Sequence, residues 1–171
     1  MTERPTRYRG YQVRVGLMTK ERPFGWVIES THYHRPNMVS YKLVSGLTWT
    51  PLVGAYLPPS TLEHLQDLEE TLKSFKDPII LGDLNVELDE ARSPRIKQVG
   101  DLIAEYGLID LVCHFRQRRS FQNLKTWSQV RQGTVLRLRC DYILRTDRRH
   151  FELVEICDMR NFSLDHFTLR D

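Results

Sequence analysis

The sequence predicts a sheet-based domain of mixed α/β (α+β) class, with helices covering outer faces, on three observations. Segments with period-two or β-rich apolar patterning crowd the first third of the chain and return near its end. Two segments between them carry apolar residues at helical spacing. A short apolar run, Ile79-Ile80-Leu81, ends in Gly82 and is followed at once by polar residues, as a buried strand would be at its carboxyl end.

Each element has its own signal. Gln12–Thr19 alternates, with Val13, Val15 and Leu17 on one face. Trp26–Tyr33, Met38–Val44 and Trp49–Leu57 are further strands, consecutive and antiparallel, and Pro51 places the last of them at an edge or at its own start. Ser60-x-x-Glu63 is a capping box. Leu62, Leu65, Leu68, Leu72 and Phe75 then form a helix that runs to about Lys76 and is stopped by Pro78. The acidic segment 86–94 reads as a loop ending at Ser93-Pro94. Ile96, Val99, Leu102, Ile103 and Tyr106 mark a second helix, closed by Gly107 at C′. A loop-rich basic region follows from His114 to Arg137, then short strands at Cys140–Arg145, Phe151–Ile156 and Phe167–Leu169.

Composition narrows the function classes. The chain is 40% hydrophobic and 27% charged, which excludes a disordered or fibrous polypeptide. No apolar run reaches the roughly 18 residues of a membrane span. Residues 1–10 lack the apolar stretch of a secretory signal, so an intracellular place, nuclear or cytoplasmic, is expected. Cys113, Cys140 and Cys157 are widely spaced, with no C-x-x-C, which argues against a zinc knuckle or a disulfide framework. Net charge is +3, but residues 60–111 carry 5 Lys/Arg against 12 Asp/Glu, while residues 112–149 carry 10 against 2. That basic excess fits either a polyanion partner or a solvated basic face.

Four segments carry chemistry: Ala55-Tyr56-Leu57-Pro58-Pro59, Gly82-Asp83-Leu84-Asn85, Arg139-Cys140-Asp141-Tyr142-Ile143-Leu144 and Ser163-Leu164-Asp165-His166. Asp83 and Asn85, two apart on a strand, are expected on one face. There they combine an acceptor for a proton or metal with a neutral donor that suits a water or a phosphate oxygen. Plainer readings stand beside these: a turn for Asp83 and Asn85, a surface pair for Asp165-His166, and an amphipathic core position for Tyr56 or Trp127. His32-x-His34 reads as a polar strand face or, with a third ligand, a metal site.

In this order the four segments resemble the endonuclease/exonuclease/phosphatase superfamily, in particular the endonuclease domains of non-LTR retrotransposons, which accompany a reverse transcriptase. The resemblance runs from about Val13 to Leu169 and takes in Leu108-Ile109-Asp110-Leu111 and Thr126-Trp127. It implies a four-layer α/β/β/α sandwich forming a single domain over residues 12–171, behind a tail at 1–11. It also implies Mg²⁺- or Mn²⁺-dependent cleavage of DNA by a monomer with no membrane contact, with a reverse-transcriptase polypeptide as a possible partner. Residue by residue, His166 would contact the scissile phosphate and Asp141 would orient His166. Asp83 would position or deprotonate the attacking water, and Asn85 would hold that water or a phosphate oxygen. Tyr56 would reach the phosphate through its hydroxyl, and Asp165 would lie at the divalent ion. Trp127, Arg131, Arg137 and Arg139, just before the Asp141 strand, are expected to grip the DNA backbone or stack on a base. Arg116, Arg118 and Arg119 form a denser but less specific basic cluster.

The sequence departs from that pattern in two places. The asparagine strand and the metal-ligating glutamate that open such domains have no counterpart, so a chain truncated at its N-terminus and lacking its first strands is expected. Weakened metal binding, lower stability or dependence on a partner would follow. Leu164 stands where a serine usually precedes Asp-His, and no reverse-transcriptase domain is expected within the chain. Two other readings follow: a non-catalytic nucleic-acid-binding remnant or gene fragment, and a phosphatase of small phosphate esters. G-x-S-x-G, P-loop and G-x-G-x-x-G motifs are absent, which disfavours acyl-transfer hydrolases and nucleotide-binding folds.

Overall fold

The computed structural model describes residues 6–8, 11–13, 27–35, 37–59, 63–88, 93–116, 125–147, 155–157 and 168–170. Contacts divide the chain into two compact units, Met1–Leu81 and Gly82–Asp171. The first holds β1 (Thr6–Tyr8), β2 (Tyr11–Val13), β3 (Val27–Arg35), β4 (Met38–Ser45), β5 (Thr48–Tyr56), α1 (Glu63–Ser74) and most of β6 (Ile79–Asp83). The second holds α2 (Pro94–Glu105), β7 (Ile109–Asp110), α3 (Leu111–Arg116), β8 (Trp127–Arg131), β9 (Thr134–Leu138), β10 (Asp141–Arg145), β11 (Glu155–Cys157) and β12 (Thr168–Arg170). The mixed α/β class is as expected. Of the alternating Gln12–Thr19 stretch, residues 14–19 lie outside the described residues.

In the first unit the strands lie in the order β3-β4-β5-β6. β4 and β5 pair antiparallel without a break, from Met38↔Ala55 to Ser45↔Thr48, around a turn at Gly46, whose φ of 60° suits a residue without a Cβ. β3 pairs with β4 and shifts register between Ser30 and His34. Val39, Leu52, Val53 and Ala55 are buried, and because Leu52 and Val53 point to opposite faces, both faces of β5 are covered there. α1 supplies Leu68 and Leu72 to this core, and its Thr71 hydroxyl lies 3.3 Å from the Met38 sulfur. Burial of each such side chain contributes about 1.5–3 kcal/mol. The capping-box residue Ser60 lies outside the described residues.

The expectation for Pro51 needs correction. β5 lies between β4 and β6, and Pro51 is its fourth residue, buried and opposite Lys42.

In the second unit α2 begins at Pro94, with Ser93 as N-cap accepting from the Ile96 N–H (3.2 Å). Gly107 follows the helix at φ 61°, with Leu108 N–H donating back to the Ile103 carbonyl (2.9 Å), as the C′ expectation requires. β10 pairs antiparallel with β7, and Tyr142, Ile143 and Leu144 are buried beside Leu111 and Val112 of α3.

The loop expected from His114 to Arg137 is corrected at both ends. Asp110 caps α3, its Oδ1 accepting from the Val112 N–H (3.1 Å). β8 and β9 form a hairpin from Trp127↔Leu138 to Arg131↔Thr134. Its turn residues Gln132 and Gly133 both have positive φ, 50° and 78°, as a two-residue turn matched to strand twist requires. Neither Trp127–Arg131 nor Thr134–Leu138 alternates cleanly in sequence, and Gln-Gly is a weaker turn marker than Asn-Gly.

Candidate active site

Asp83 is the last residue of β6, and Asn85 follows the strand at φ 49°. Strand periodicity therefore does not bring them together. An Asp side chain turning back on the chain does: Asp83 Oδ1 accepts from the Asn85 N–H (2.8 Å) and Oδ2 from Asn85 Nδ2 (3.1 Å). The left-handed conformation is one that Asn tolerates better than most residues. Leu84 between them is fully buried, while Asp83 and Asn85 are half-buried. The geometry is that of the turn reading.

Asp141 is the first residue of β10. The Leu84 N–H donates to the Cys140 carbonyl (2.9 Å), which ties the Asp83–Asn85 turn to the residue before Asp141. From the other side, the Thr126 hydroxyl oxygen accepts from both the Cys140 and Asp141 N–H groups (3.0 Å each), and Thr126 is fully buried. Cys140 registers the result electrostatically. Its thiol is pushed up to about 12 by burial first and then by the charges of Asp83 and Asp141, with Lys125 opposing. Both carboxylates therefore act on one buried sulfur. Tyr142 anchors the chain after Asn85: its hydroxyl accepts from the Leu88 N–H (3.0 Å) and donates to the Val86 carbonyl (3.0 Å). Glu87, buried in that stretch, is ion-paired with Lys125.

Sequence reasoning missed two residues. Thr126 was legible only as part of a Thr-Trp segment. Arg95, in the first turn of α2, has its guanidinium pKa lowered by burial, opposed by Asp83, and so adds a cation to the Asp83 carboxylate. Nothing in Pro94-Arg95 singles it out in sequence.

Tyr56 ends β5 in the first unit, half-buried, its N–H donating to the Asn37 carbonyl (2.9 Å). Asp165 and His166 lie outside the described residues, as do Arg118 and Arg119. The side chains of His32, His34 and Arg116 are likewise not described.

Of the four residues expected to face DNA, Arg131 and Arg137 are exposed on the β8–β9 hairpin and Trp127 is half-buried at its base. The register puts Arg131 on the face of Trp127 and Leu138, and Arg137 on the face of Val130 and Val135. Arg139 is a correction. It is 1% exposed, ion-paired to Asp110 (2.5 Å), donates to Cys113 Sγ (2.9 Å), and stacks 4.6 Å over the Tyr142 ring. Burial pulls its pKa down, but Asp110 and Cys113 outweigh that and leave it raised, so the guanidinium is a charged interior brace rather than a DNA contact.

Among the described residues no three His, Cys, Asp or Glu side chains are grouped to hold a metal ion. Asp83 and Asp141, whose charges both bear on Cys140, offer hard carboxylate oxygens, the donor type that Mg²⁺ takes. Those oxygens fit a hard divalent cation.

No family model matches the sequence, and no curated protein matches it. Solved structures do. The endonuclease domain of TRAS1, a telomere-specific non-LTR retrotransposon, is 19% identical at a TM-score of 0.60, covering 84% of this chain and 67% of that domain. The 3′-5′ exonuclease NExo from Neisseria meningitidis is 17% identical at 0.56, covering 84% of this chain and 70% of that one. An endonuclease/exonuclease/phosphatase family protein from Leptotrichia buccalis is 16% identical at 0.54, and the chain spans 52% of its length. At these identities the likeness is one of fold. Taken with the α/β elements and the carboxylate turn, it shows that the chain has the fold of the endonuclease/exonuclease/phosphatase superfamily, the fold of the TRAS1 endonuclease domain.

Proposed function

We propose that the chain is a divalent-metal-dependent phosphodiesterase that nicks DNA, of the retrotransposon-endonuclease type. The observation that carries this reading is the Asp83–Asn85 turn, bonded through Leu84 and Cys140 to the start of the Asp141 strand. Two carboxylates and an amide, fixed by main-chain bonds at strand ends, form a rigid polar platform of the kind phosphodiester chemistry needs.

The roles follow from the side chains. Asn85 fixes the Asp83 carboxylate through both oxygens, so Asp83 meets an attacking water in one orientation. Asp141 would orient His166, and His166 and Tyr56 would donate to the phosphate oxygens as charge builds on them. Arg95 adds positive charge near Asp83. Asp165, with Asp83 and Asp141, would hold Mg²⁺ or Mn²⁺, which when bound neutralises phosphate charge and lowers the pKa of a coordinated water. Arg131 and Arg137, exposed on opposite faces of a two-stranded ribbon, would meet phosphates on either side of a groove, with Trp127 at the ribbon's base. A single domain over residues 12–171 and action as an intracellular monomer go with this reading.

A second reading, metal-independent DNA binding by a non-catalytic remnant, is favoured by the exposed basic hairpin alone. The test is nicking of supercoiled plasmid in Mg²⁺ or Mn²⁺, set against EDTA and against Asp83→Ala and His166→Ala, all shown to be folded by circular dichroism. Nicking lost in EDTA and in both variants supports the enzyme. Binding without nicking by a folded chain supports the remnant, and turnover of small phosphomonoesters instead of plasmid supports a phosphatase.

A further inference from the structure

A buried polar chain in the first unit has no part in the proposed chemistry but leads to one of its residues. Asn37, in the turn between β3 and β4, is 5% exposed, and His64, in the first turns of α1, is 8% exposed. The Asn37 amide nitrogen lies 2.7 Å from His64 Nδ1 and 3.1 Å from Nε2. Two buried polar side chains cost stability unless they are bonded to each other, and an apolar pair would fill the same space without that cost. Packing alone therefore does not account for them.

Asn37 is also where β5 lets go of its ladder. The last β4–β5 pair is Met38↔Ala55, and the next N–H along, that of Tyr56, donates to the Asn37 carbonyl (2.9 Å). The residue that fixes the backbone of Tyr56 is thus itself fixed by His64. Behind the ring, Asp67 Oδ2 lies 3.6 Å from His64 Nδ1, one turn along α1. Asp67 in turn faces Arg35 (4.0 Å), which is ion-paired with Glu70. Helix α1, the β3–β4 turn and the end of β5 are thereby joined by side chains as well as by apolar packing.

We propose that His64 is a positioning residue for Tyr56, acting through Asn37. The proposal rests on the reading of Tyr56 as a phosphate-contacting residue, and its structural half can be read without any reaction. His64→Leu keeps much of the volume and removes the bond to Asn37, whereas His64→Gln keeps a polar group within reach of it. Plasmid-nicking kinetics should show kcat about tenfold lower in His64→Leu with KM unchanged, part of the roughly hundredfold that a 1 Å misplacement costs. His64→Gln should recover most of that loss, and His64→Leu should add nothing in a Tyr56→Phe background.

The second measurement uses protein labelled with ¹³C at the tyrosine ring, with the Tyr56 signal assigned by its absence in Tyr56→Phe. That signal should move in His64→Leu and return in His64→Gln. If His64→Leu does not fold, Asn37→Ala breaks the same link and is read the same way. A Tyr56 signal unmoved in the folded variants overturns the positioning role, as does a His64 loss that is additive with Tyr56→Phe. If the signal responds but no protein nicks DNA, the link stands and the functional reading falls. If nicking needs Tyr56 but ignores His64, the proposal falls and the functional reading stands.

Discussion

Asp83 shows how one side chain sets a local structure. Both of its oxygens are taken by Asn85, so Asp83→Ala should lose about 1.5–3 kcal/mol in urea denaturation as well as abolish nicking. Arg139 and Arg137 differ in sequence only by their place, yet one is buried against Asp110 and the other is exposed. Arg139→Met leaves Asp110 without its charge partner and should destabilise the fold by about 3–5 kcal/mol. Arg137→Ala should stay within about 0.5 kcal/mol of the parent. Cys140 gives a pH dependence whose sign is set by burial. Its thiol ionises at 9.0 ordinarily and at about 12 in the fold, so above pH 9 the unfolded chain sheds a proton that the folded chain keeps. Stability then falls as pH rises through that window, by up to about 1.4 kcal/mol per pH unit from this thiol, and Cys140→Ala should flatten the slope, leaving the smaller part that comes from Cys113, whose thiol burial also pushes up. Denaturation curves at pH 8, 9 and 10 for the two proteins measure it.

At the scale of elements, the β8–β9 hairpin has the most direct consequences. From Gln129 to Leu138 every residue is exposed, and Val130 (70% exposed) stands opposite Val135 near the tip. A ribbon with so little core beneath it contributes little to folding. Changes in it should therefore move DNA binding without moving global stability. Arg131→Ala and Arg137→Ala should each reduce the slope of log affinity against log salt by about one, measured by fluorescence anisotropy on duplex DNA. Gly133→Val, strained at φ 78° although its surroundings are open, should weaken binding while leaving the melting temperature close to that of the parent. The helices behave oppositely. Ser93→Ala removes the cap of α2, whose Val99 is fully buried, and should cost about 1 kcal/mol. Helices α1 and α2 and the strands β3–β5 were legible because their apolar spacing and caps are local properties. The hairpin was not, because exposed apolar residues beside arginines look like loop composition.

For the whole molecule, the net charge of +3 conceals an acidic middle and a basic stretch at 112–149, so affinity for DNA should drop steeply, by orders of magnitude, between about 50 and 200 mM salt. A flat response would remove the electrostatic case for a nucleic-acid partner. The order of four short segments was enough to foresee the α/β class and the superfamily fold, which the likenesses to solved structures show. It was also enough to nominate Asp83, Asn85, Asp141 and Tyr56. What each does in space was not legible. Asp83 and Asn85 meet through a turn that the strand period does not describe, and Asp141 is set by a threonine 15 residues away. Sequence by itself determined the bounds of α2 and the run of strands β3–β5, because caps, proline and apolar period act within a few residues. Tertiary structure alone decided that Arg139 faces inward, that Pro51 sits in an interior strand, and that Asp83 and Asp141 bear on one buried thiol. Burial and charge proximity depend on segments far apart in the chain, and only their packing sets the cost of an unpaired charge or the pKa of a sulfur that two carboxylates bear on.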